Sequence, residues 1–421
     1  MDTWHSSAAS LSSAVQRARD WEDTIGGWVV RDDTLEADVG LSKVPPGSAL
    51  QGVPFGVKDI IDVASFPTRF GSAAFDDAMP AREDSPVVAA LRDAGAIPFG
   101  KTRTTEFAFL DPTSSRNPYD PTRTPGGSSS GSGAVVGARV VPFALGTQTA
   151  GSLIRPACYC GAMAYKPGLA VLPTQGVSPL AKTFDQVGVI AVSAFWIEAV
   201  FDILNDKFTI SDASAARPNT HKDATLQIAE IAVPEQAPDA AIRDAMRSTK
   251  QRLADGGHTV VERVSPVSFT ELLSIHRTIM LYEAARDLLA FVGDRRHQLR
   301  PKLAAGLAEG EGIPASDYAA ALELLKRRQA QFWNKLDQYD LLLTYPVSGA
   351  APEGLTTTGD QSYLSPWTAL GGPLLSLPAT RDREGMPLGL MFASPPGKDA
   401  ALVKRAGSLE TLLGRIDPPG L

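Results

Sequence analysis

Three places in this chain put hydroxyl and amine groups where their surroundings are otherwise apolar or small. The stretch TPGGSSSGSG (Thr124 to Gly133) clusters Ser128, Ser129, Ser130 and Ser132 among glycines, GTQTAGS (Gly146 to Ser152) ends on another serine, and QGVPFGVKDIIDVA (Gln51 to Ala64) carries Lys58 inside an apolar run. A serine hydroxyl is a poor nucleophile without a neighbouring base. A lysine serves as that base only if its pKa falls from about 10.4 toward roughly 7 to 8. Burial in an apolar strand lowers it, because desolvation disfavours the ammonium form. Asp59 opposes that shift only if it is close, and successive strand residues face opposite sides.

The serine-glycine run has the composition of a flexible tether. Its sequel, AVVGARVVPFALG, is small and apolar. A tether is not followed at once by core, so the run is expected to be a turn between ordered elements, where glycine lets backbone N–H groups face a cleft. GSSSG (Gly127 to Gly131) also matches the G-x-S-x-G elbow of α/β-hydrolases, with Ser129 central. That elbow needs an apolar strand directly before it, and NPYDPTRTPG, with its three prolines, cannot be one.

The elements that would hold these groups alternate. A helix runs from Ala8 to Trp21 and stops at GGWVV; SPVVAALRDAGAIPFGKT reads as a helix from Ser85 to Asp93, a stop at Gly95 and a buried strand from Ala96 to Gly100. Strand-like runs recur at ARVVPFALGTQT, Leu226 to Pro234, Asp340 to Ser348, Leu374 to Ala379 and PLGLMFA. Helical patterns cover Pro238 to Asp255, Phe269 to Phe291, Ala315 to Leu336 and Ala400 to Leu413. This rhythm predicts one α/β domain over residues 1–421, with a helical subregion at 235–335.

Composition narrows the function. With 421 residues and 43% hydrophobic content the chain can bury a large core, and 40 basic against 47 acidic residues leave a net charge of −7. That balance argues against general affinity for nucleic acid or anionic membrane. The first residues show no secretory pattern and no apolar run reaches the roughly 18 to 20 residues that span a bilayer, so a cytoplasmic protein is expected. Cys158 and Cys160 are too close in sequence for a good disulfide, and His5, His221, His258, His276 and His297 lack metal-ligand spacing. No metal and no cofactor are expected.

Taken together, GVPFGVKD, GKTRTTEFAF, NPYDPTRTPGGSSSGS, PFALGTQTAGS, RPACYCGAMAYKP, GVSPLAKTFDQVG and GGPLLSLPATRDREGMPLGLMF span nearly the whole chain. In content and order they resemble the amidase signature family, whose Ser-Ser-Lys triad hydrolyses amide bonds. The resemblance implies a single large α/β domain with a central mixed twisted sheet flanked by helices on both faces. It makes Ser152 the nucleophile of an acyl-enzyme, Lys58 the base and Ser128 a proton bridge that follows a cis peptide bond after Gly127. It places the oxyanion hole on the N–H groups of Thr149, Ala150, Gly151 and Ser152, and has Thr147 orient the triad. Glu106 becomes a structural residue, and Cys160 matches a cysteine of the family pattern where Cys158 does not.

Two positions depart from the pattern. Ala150 stands where glycine is usual, which costs about 1 to 2 kcal/mol if the position needs a left-handed backbone. The usual Ser-Ile-Arg-Ile-Pro reads Ser152-Leu153-Ile154-Arg155-Pro156, moving the arginine one place, or about 100° around a helix. Here the chain is similar to malonamidase-like members, in which this arginine holds a substrate carboxylate. The alternative is an arginine bracing the loop against an internal acid such as Asp185. Phe107, Phe109, Tyr159 and Trp367 are candidates for the acyl pocket or for core, and TTTGDQSYLSPW (Thr356 to Trp367) for a pocket rim.

The expected activity is hydrolysis of a small amide, urea or carbamate, releasing ammonia or an amine, with esters as easier acyl donors. One alternative is a glutamine-hydrolysing amidotransferase subunit; the other is a binding protein that kept the fold without turnover. The expected partners are a small-molecule amide and at most a second copy of the chain as a homodimer, with neither nucleic acid nor membrane.

Overall fold

The computed structural model describes residues 10–34, 48–210 and 225–420. Ala8, His5 and His221 lie outside the described residues. The strands are β1 (Trp28–Arg31), β2 (Pro54–Lys58), β3 (Ile97–Thr102), β4 (Phe143–Gln148), β5 (Met163–Lys166), β6 (Gln186–Ala191), β7 (Gln227–Ala232), β8 (Thr259–Val264), β9 (Leu341–Thr344), β10 (Leu374–Arg381) and β11 (Pro387–Ala393). They form one mixed 11-stranded sheet in the order β1-β3-β2-β4-β6-β5-β10-β11-β9-β7-β8. β2 runs parallel to both β3 and β4, whereas β4–β6, β6–β5 and β5–β10 are antiparallel.

Helices flank the sheet on both faces: α1 (Leu11–Ile25), α2 (Pro86–Asp93), α3 (Ser130–Gly137), α4 (Ile154–Tyr159), α5 (Ala194–Phe208) and α6 (Ala240–Asp255) come first. They are followed by α7 (Phe269–Val292), α8 (Pro301–Glu311), α9 (Ala315–Lys335), α10 (Ser365–Ala369), α11 (Asp399–Val403) and α12 (Ala406–Leu413). Local signals set the ends. Ser10 caps α1 by accepting from Ser13 N, and left-handed Gly26 stops it; Ser85 caps α2 with Pro86 in its first turn. None of the described helices is long and apolar enough to cross a membrane.

Several elements differ from the sequence expectation. The last helix is two, α11 and α12, with the break at Lys404–Arg405. The segment 235–335 is not purely helical, since β8 crosses it and pairs in parallel with β7. β5 and β6 are as fully buried as β4 and β11, but Tyr165, Lys166, Gln186 and Gly188 break up their apolar runs.

The serine-glycine run leads into α3, which begins at Ser130, and the glycines of that helix serve close packing. A Cβ on Gly131 would stand 2.2 Å from Gly27 O, and one on Gly137 would stand 2.4 Å from Cys160 O. Every residue of α3 is buried. Composition that mimics a linker is here the requirement of a helix whose backbone touches its neighbours.

Candidate active site

Two parallel strands deliver the basic end of the site. β2 ends at Lys58 and β4 ends just after Thr147, with Val57 paired to Leu145, so both side chains emerge at the carboxyl ends of adjacent strands. Lys58 is 0% exposed. Its Nζ donates to Ser128 Oγ at 2.7 Å and to Thr147 Oγ1 at 2.7 Å. Burial pushes the Lys58 pKa well below its ordinary value, and the field of Asp185 opposes that shift. Asp59 faces away and pairs with buried Lys101 at 3.0 Å, so it leaves Lys58 without an ion pair among the described residues.

The Gly127–Ser128 peptide bond is cis. Thr105 N donates to Ser128 O at 3.2 Å, and Ser129 N donates to Ser152 O at 3.1 Å, which ties the two catalytic candidates together through one residue. Among the described residues their Oγ atoms are not hydrogen-bonded to each other. The remaining hydroxyls of the run are occupied: Ser130 Oγ donates to Gly126 O at 2.7 Å, Ser132 Oγ to Leu145 O at 3.0 Å, and Ser129 Oγ to Thr147 O at 3.4 Å.

The loop before Ser152 is held from several sides. Thr149 Oγ1 donates to Asp185 Oδ1 at 2.5 Å, and Leu180 N and Ala181 N donate to the other carboxylate oxygen at 2.8 and 3.0 Å. Burial pushes the Asp185 pKa up to about 6 despite those donors. His276 Nε2 meets Thr149 O at 2.8 Å, and Thr368 Oγ1 donates to Ala150 O at 2.5 Å. Gln148 Nε2 donates to Thr368 Oγ1 at 2.9 Å while its Oε1 accepts from Leu153 N and Ile154 N at 3.1 and 3.0 Å. The N–H groups of Ala150, Gly151 and Ser152 take no partner among the described residues. Ala150 is not among the positive-φ residues, so its methyl carries no left-handed penalty.

Arg155 sits in the first turn of α4, 2% exposed. It does not brace against Asp185, whose carboxylate is taken by Thr149, Leu180 and Ala181. Its Nη2 donates to Gly127 O at 2.7 Å and to Thr358 Oγ1 at 3.4 Å, while Nε and Nη1 are buried without a partner. Burial lowers its pKa, opposed by the nearby Tyr159 and Asp360. A Cβ on Gly151 would stand 3.1 Å from Nη1, which puts the free edge of the guanidinium beside the residue before Ser152. Arg155 and Ser152 share one small cavity with Phe109, Leu180, Met280 and Gln361. A wider cleft of about 920 Å³ opens elsewhere, beside Asp59, Arg69 and Arg300, and does not include Ser152.

Of the aromatic candidates, Phe109 borders the Ser152 cavity. Phe107 stacks on Phe70 instead, and Trp367 is core between Phe269 and Phe332. Tyr159 is buried, and a Cβ on Gly359 would stand 2.6 Å from its OH. Glu106 is buried and accepts from Ser72 Oγ at 2.6 Å and Arg300 N at 2.7 Å. Both cysteines are buried thiols, and burial pushes Cys158 up to about 12. His276 and Thr368 escaped the sequence reading as site residues, whereas Thr358 and Gln361 fall within the stretch Thr356 to Trp367 expected as a pocket rim. His276 and Thr368 lie far along the chain and carry no motif.

The fold is that of enzymes that hydrolyse amide bonds. The chain belongs to the amidase family, whose model, "Amidase", matches residues 31–403. It is 26% identical to a glutamyl-tRNA(Gln) amidotransferase subunit of Aliarcobacter butzleri, over 92% of this chain and 92% of the relative. It is 29% identical to the 2-amino-5-chloromuconic acid deaminase of Comamonas testosteroni, over 99% of this chain and 92% of the relative. A solved amidase structure superposes with a TM-score of 0.84 at 25% identity, covering 96% of this chain and 95% of that one.

Proposed function

We propose that the protein hydrolyses the C–N bond of a small amide bearing a carboxylate, through an acyl-enzyme on Ser152. Ser152 Oγ attacks the carbonyl carbon, and its proton passes by Ser128 Oγ to neutral Lys58. The N–H groups of Ala150, Gly151 and Ser152, with Thr149 at the edge of the loop, receive the oxygen that becomes negative. Collapse breaks the C–N bond, and the proton returns from Lys58 through Ser128 to the departing nitrogen, which leaves as ammonia or an amine. Water then repeats the attack on the ester, using the same relay, and frees the acid and Ser152.

The observation that carries the chemistry is Lys58: fully buried, without an ion pair among the described residues, and bonded to Ser128 and Thr147. A lysine in that setting is held ready to accept a proton. The two serine hydroxyls are not hydrogen-bonded to each other among the described residues, and such bonds commonly tighten only when substrate is bound.

The choice of an acidic substrate rests on Arg155. The guanidinium has two buried nitrogens, Nε and Nη1, without an acceptor, and Nη1 lies beside the residue before the nucleophile, where a substrate carboxylate oxygen would supply one; leaving such donors unpaired is costly. The Comamonas relative also has an acid as its named substrate. The test is ammonia release from paired amides of equal carbon-chain length, succinamate against butyramide, with Ser152→Ala as the blank. Equal rates on both, unchanged in Arg155→Leu, would remove the carboxylate from the proposal.

A second reading, a glutamine-hydrolysing amidotransferase subunit, is favoured by the name of the Aliarcobacter relative, which aligns along most of both chains. Turnover of simple amides by the purified single chain decides against it, and glutaminase activity that emerges only with partner subunits decides for it.

A further inference from the structure

The oxyanion loop is the part of the proposed site whose backbone must be aimed, and two side chains from distant helices hold its carbonyls. We infer that His276 and Thr368 are positioning residues that turn the Ala150 and Gly151 N–H groups toward the reacting oxygen. The inference rests on the reading of Ser152 as nucleophile.

In a trans peptide the N–H points opposite the C=O, so whatever holds a carbonyl also fixes the direction of the next residue's N–H. Thr149 O is held by His276 Nε2 at 2.8 Å and Ala150 O by Thr368 Oγ1 at 2.5 Å. The N–H groups thereby turned away from those anchors belong to Ala150 and Gly151. They have no partner among the described residues, and Ala150 lies on the wall of the Ser152 cavity.

Each anchor is itself constrained. Thr149 O can only accept, so His276 Nε2 carries the proton. The imidazole plane is fixed by stacking on Phe184, with ring centroids 4.5 Å apart at 26°. Gln148 Nε2 donates to Thr368 Oγ1 at 2.9 Å, which commits the single hydroxyl proton of Thr368 to Ala150 O. Gln148 Oε1 meanwhile takes Leu153 N and Ile154 N, so one amide side chain brackets the loop from its other end. His276 makes no hydrogen bond to Lys58 or Ser128 among the described residues, so its contribution is separable from the proton relay.

The test uses the full chain and 4-nitrophenyl acetate, whose burst amplitude counts competent Ser152 and whose burst rate reads stabilisation of the tetrahedral state. His276→Phe keeps the ring stack and removes the donor; His276→Gln returns an N–H near the Nε2 position. Thr368→Val and Thr368→Ser form the second pair. The expected result is full amplitude with a burst rate lowered about tenfold to a hundredfold in His276→Phe and Thr368→Val, less than the roughly hundredfold to thousandfold of deleting an oxyanion donor. His276→Gln and Thr368→Ser should recover most of the rate. An unchanged rate in both donor-free variants overturns the inference, as does a loss of amplitude in proportion to rate, or a failure of the restoring variants to exceed their donor-free partners. A burst that survives in Ser152→Ala strikes the nucleophile assignment instead.

Discussion

Lys58 Nζ and Ser128 Oγ lie 2.7 Å apart in a setting where neither residue is more than 1% exposed. The second acceptor of the amine is another hydroxyl, Thr147 Oγ1. A carboxylate in its place would have held the proton on the lysine. The contrast is one residue away: Asp59 pairs directly with Lys101 and gives that ammonium a counter-charge. In the proposed mechanism two buried lysines on neighbouring strands thus have opposite tasks, and their partners distinguish them.

Lys58→Arg is therefore expected to be as inactive as Lys58→Ala. Arginine keeps the positive charge and donors but does not deprotonate in proteins, so it cannot accept the serine proton. A fall in kcat of roughly 100- to 10,000-fold at every pH is the expected result for amide turnover. Full activity in either variant would exclude the relay.

Arg155→Met should separate specificity from stability. Loss of a charge-assisted pair with substrate is expected to reduce the preference for succinamate over butyramide by about tenfold to a hundredfold. The melting temperature should not fall, since an apolar side chain replaces a buried guanidinium with two unpaired nitrogens. A clear drop in melting temperature with specificity intact would make Arg155 a structural brace.

Gly131→Ala should destabilise the protein by about 1 to 3 kcal/mol or more, because the added methyl meets the carbonyl of Gly27. Gly312→Ala is the control, since its nearest neighbour, Glu309 O, would be 3.4 Å away. Chemical denaturation of the pair measures the difference.

His276 carries a signature in the pH dependence of stability. Burial pushes its pKa down to about 4 from 6.5, so the unfolded chain binds the proton first as pH falls. Its contribution is complete above about 6.5 and is lost as pH drops through the window to about 4, at up to about 1.4 kcal/mol per pH unit. Asp185, raised to about 6 from 3.8, acts in the opposite sense over part of that range. The difference between wild type and His276→Phe cancels Asp185 and should isolate the histidine slope. Parallel curves for the two proteins would mean that His276 titrates normally.

What could be read in advance depended on whether a residue's local sequence betrays its job. Lys58 stood out because a charge interrupts an apolar strand, and Ser128 and Ser152 because several ordered motifs frame them. The displacement of Arg155 by one place was also visible. Its partner was not: charge complementarity pointed to Asp185, but that carboxylate is spent on Thr149, Leu180 and Ala181. His276 and Thr368 were invisible as site residues, because a buried histidine on a long helix and a threonine after a tryptophan acquire meaning only when the sheet brings them to the loop. Strands β5 and β6 were missed although they are as fully buried as β4 and β11, which were read as apolar runs; Tyr165, Lys166, Gln186 and Gly188 break up their apolar runs.

The strand order has an evolutionary reading. All described strands from residues 28 to 191 occupy one side of the sheet and all from 227 to 393 the other, and within the sheet they meet only where β5 pairs with β10. Lys58, Thr147, Ser128 and Ser152 belong to the first half; Met280, Thr358 and Gln361, around the Ser152 cavity and Arg155, belong to the second. A lineage that rewrites the second half has one strand pair to keep in register, but it must also preserve His276 and Thr368, which reach across to Thr149 O and Ala150 O.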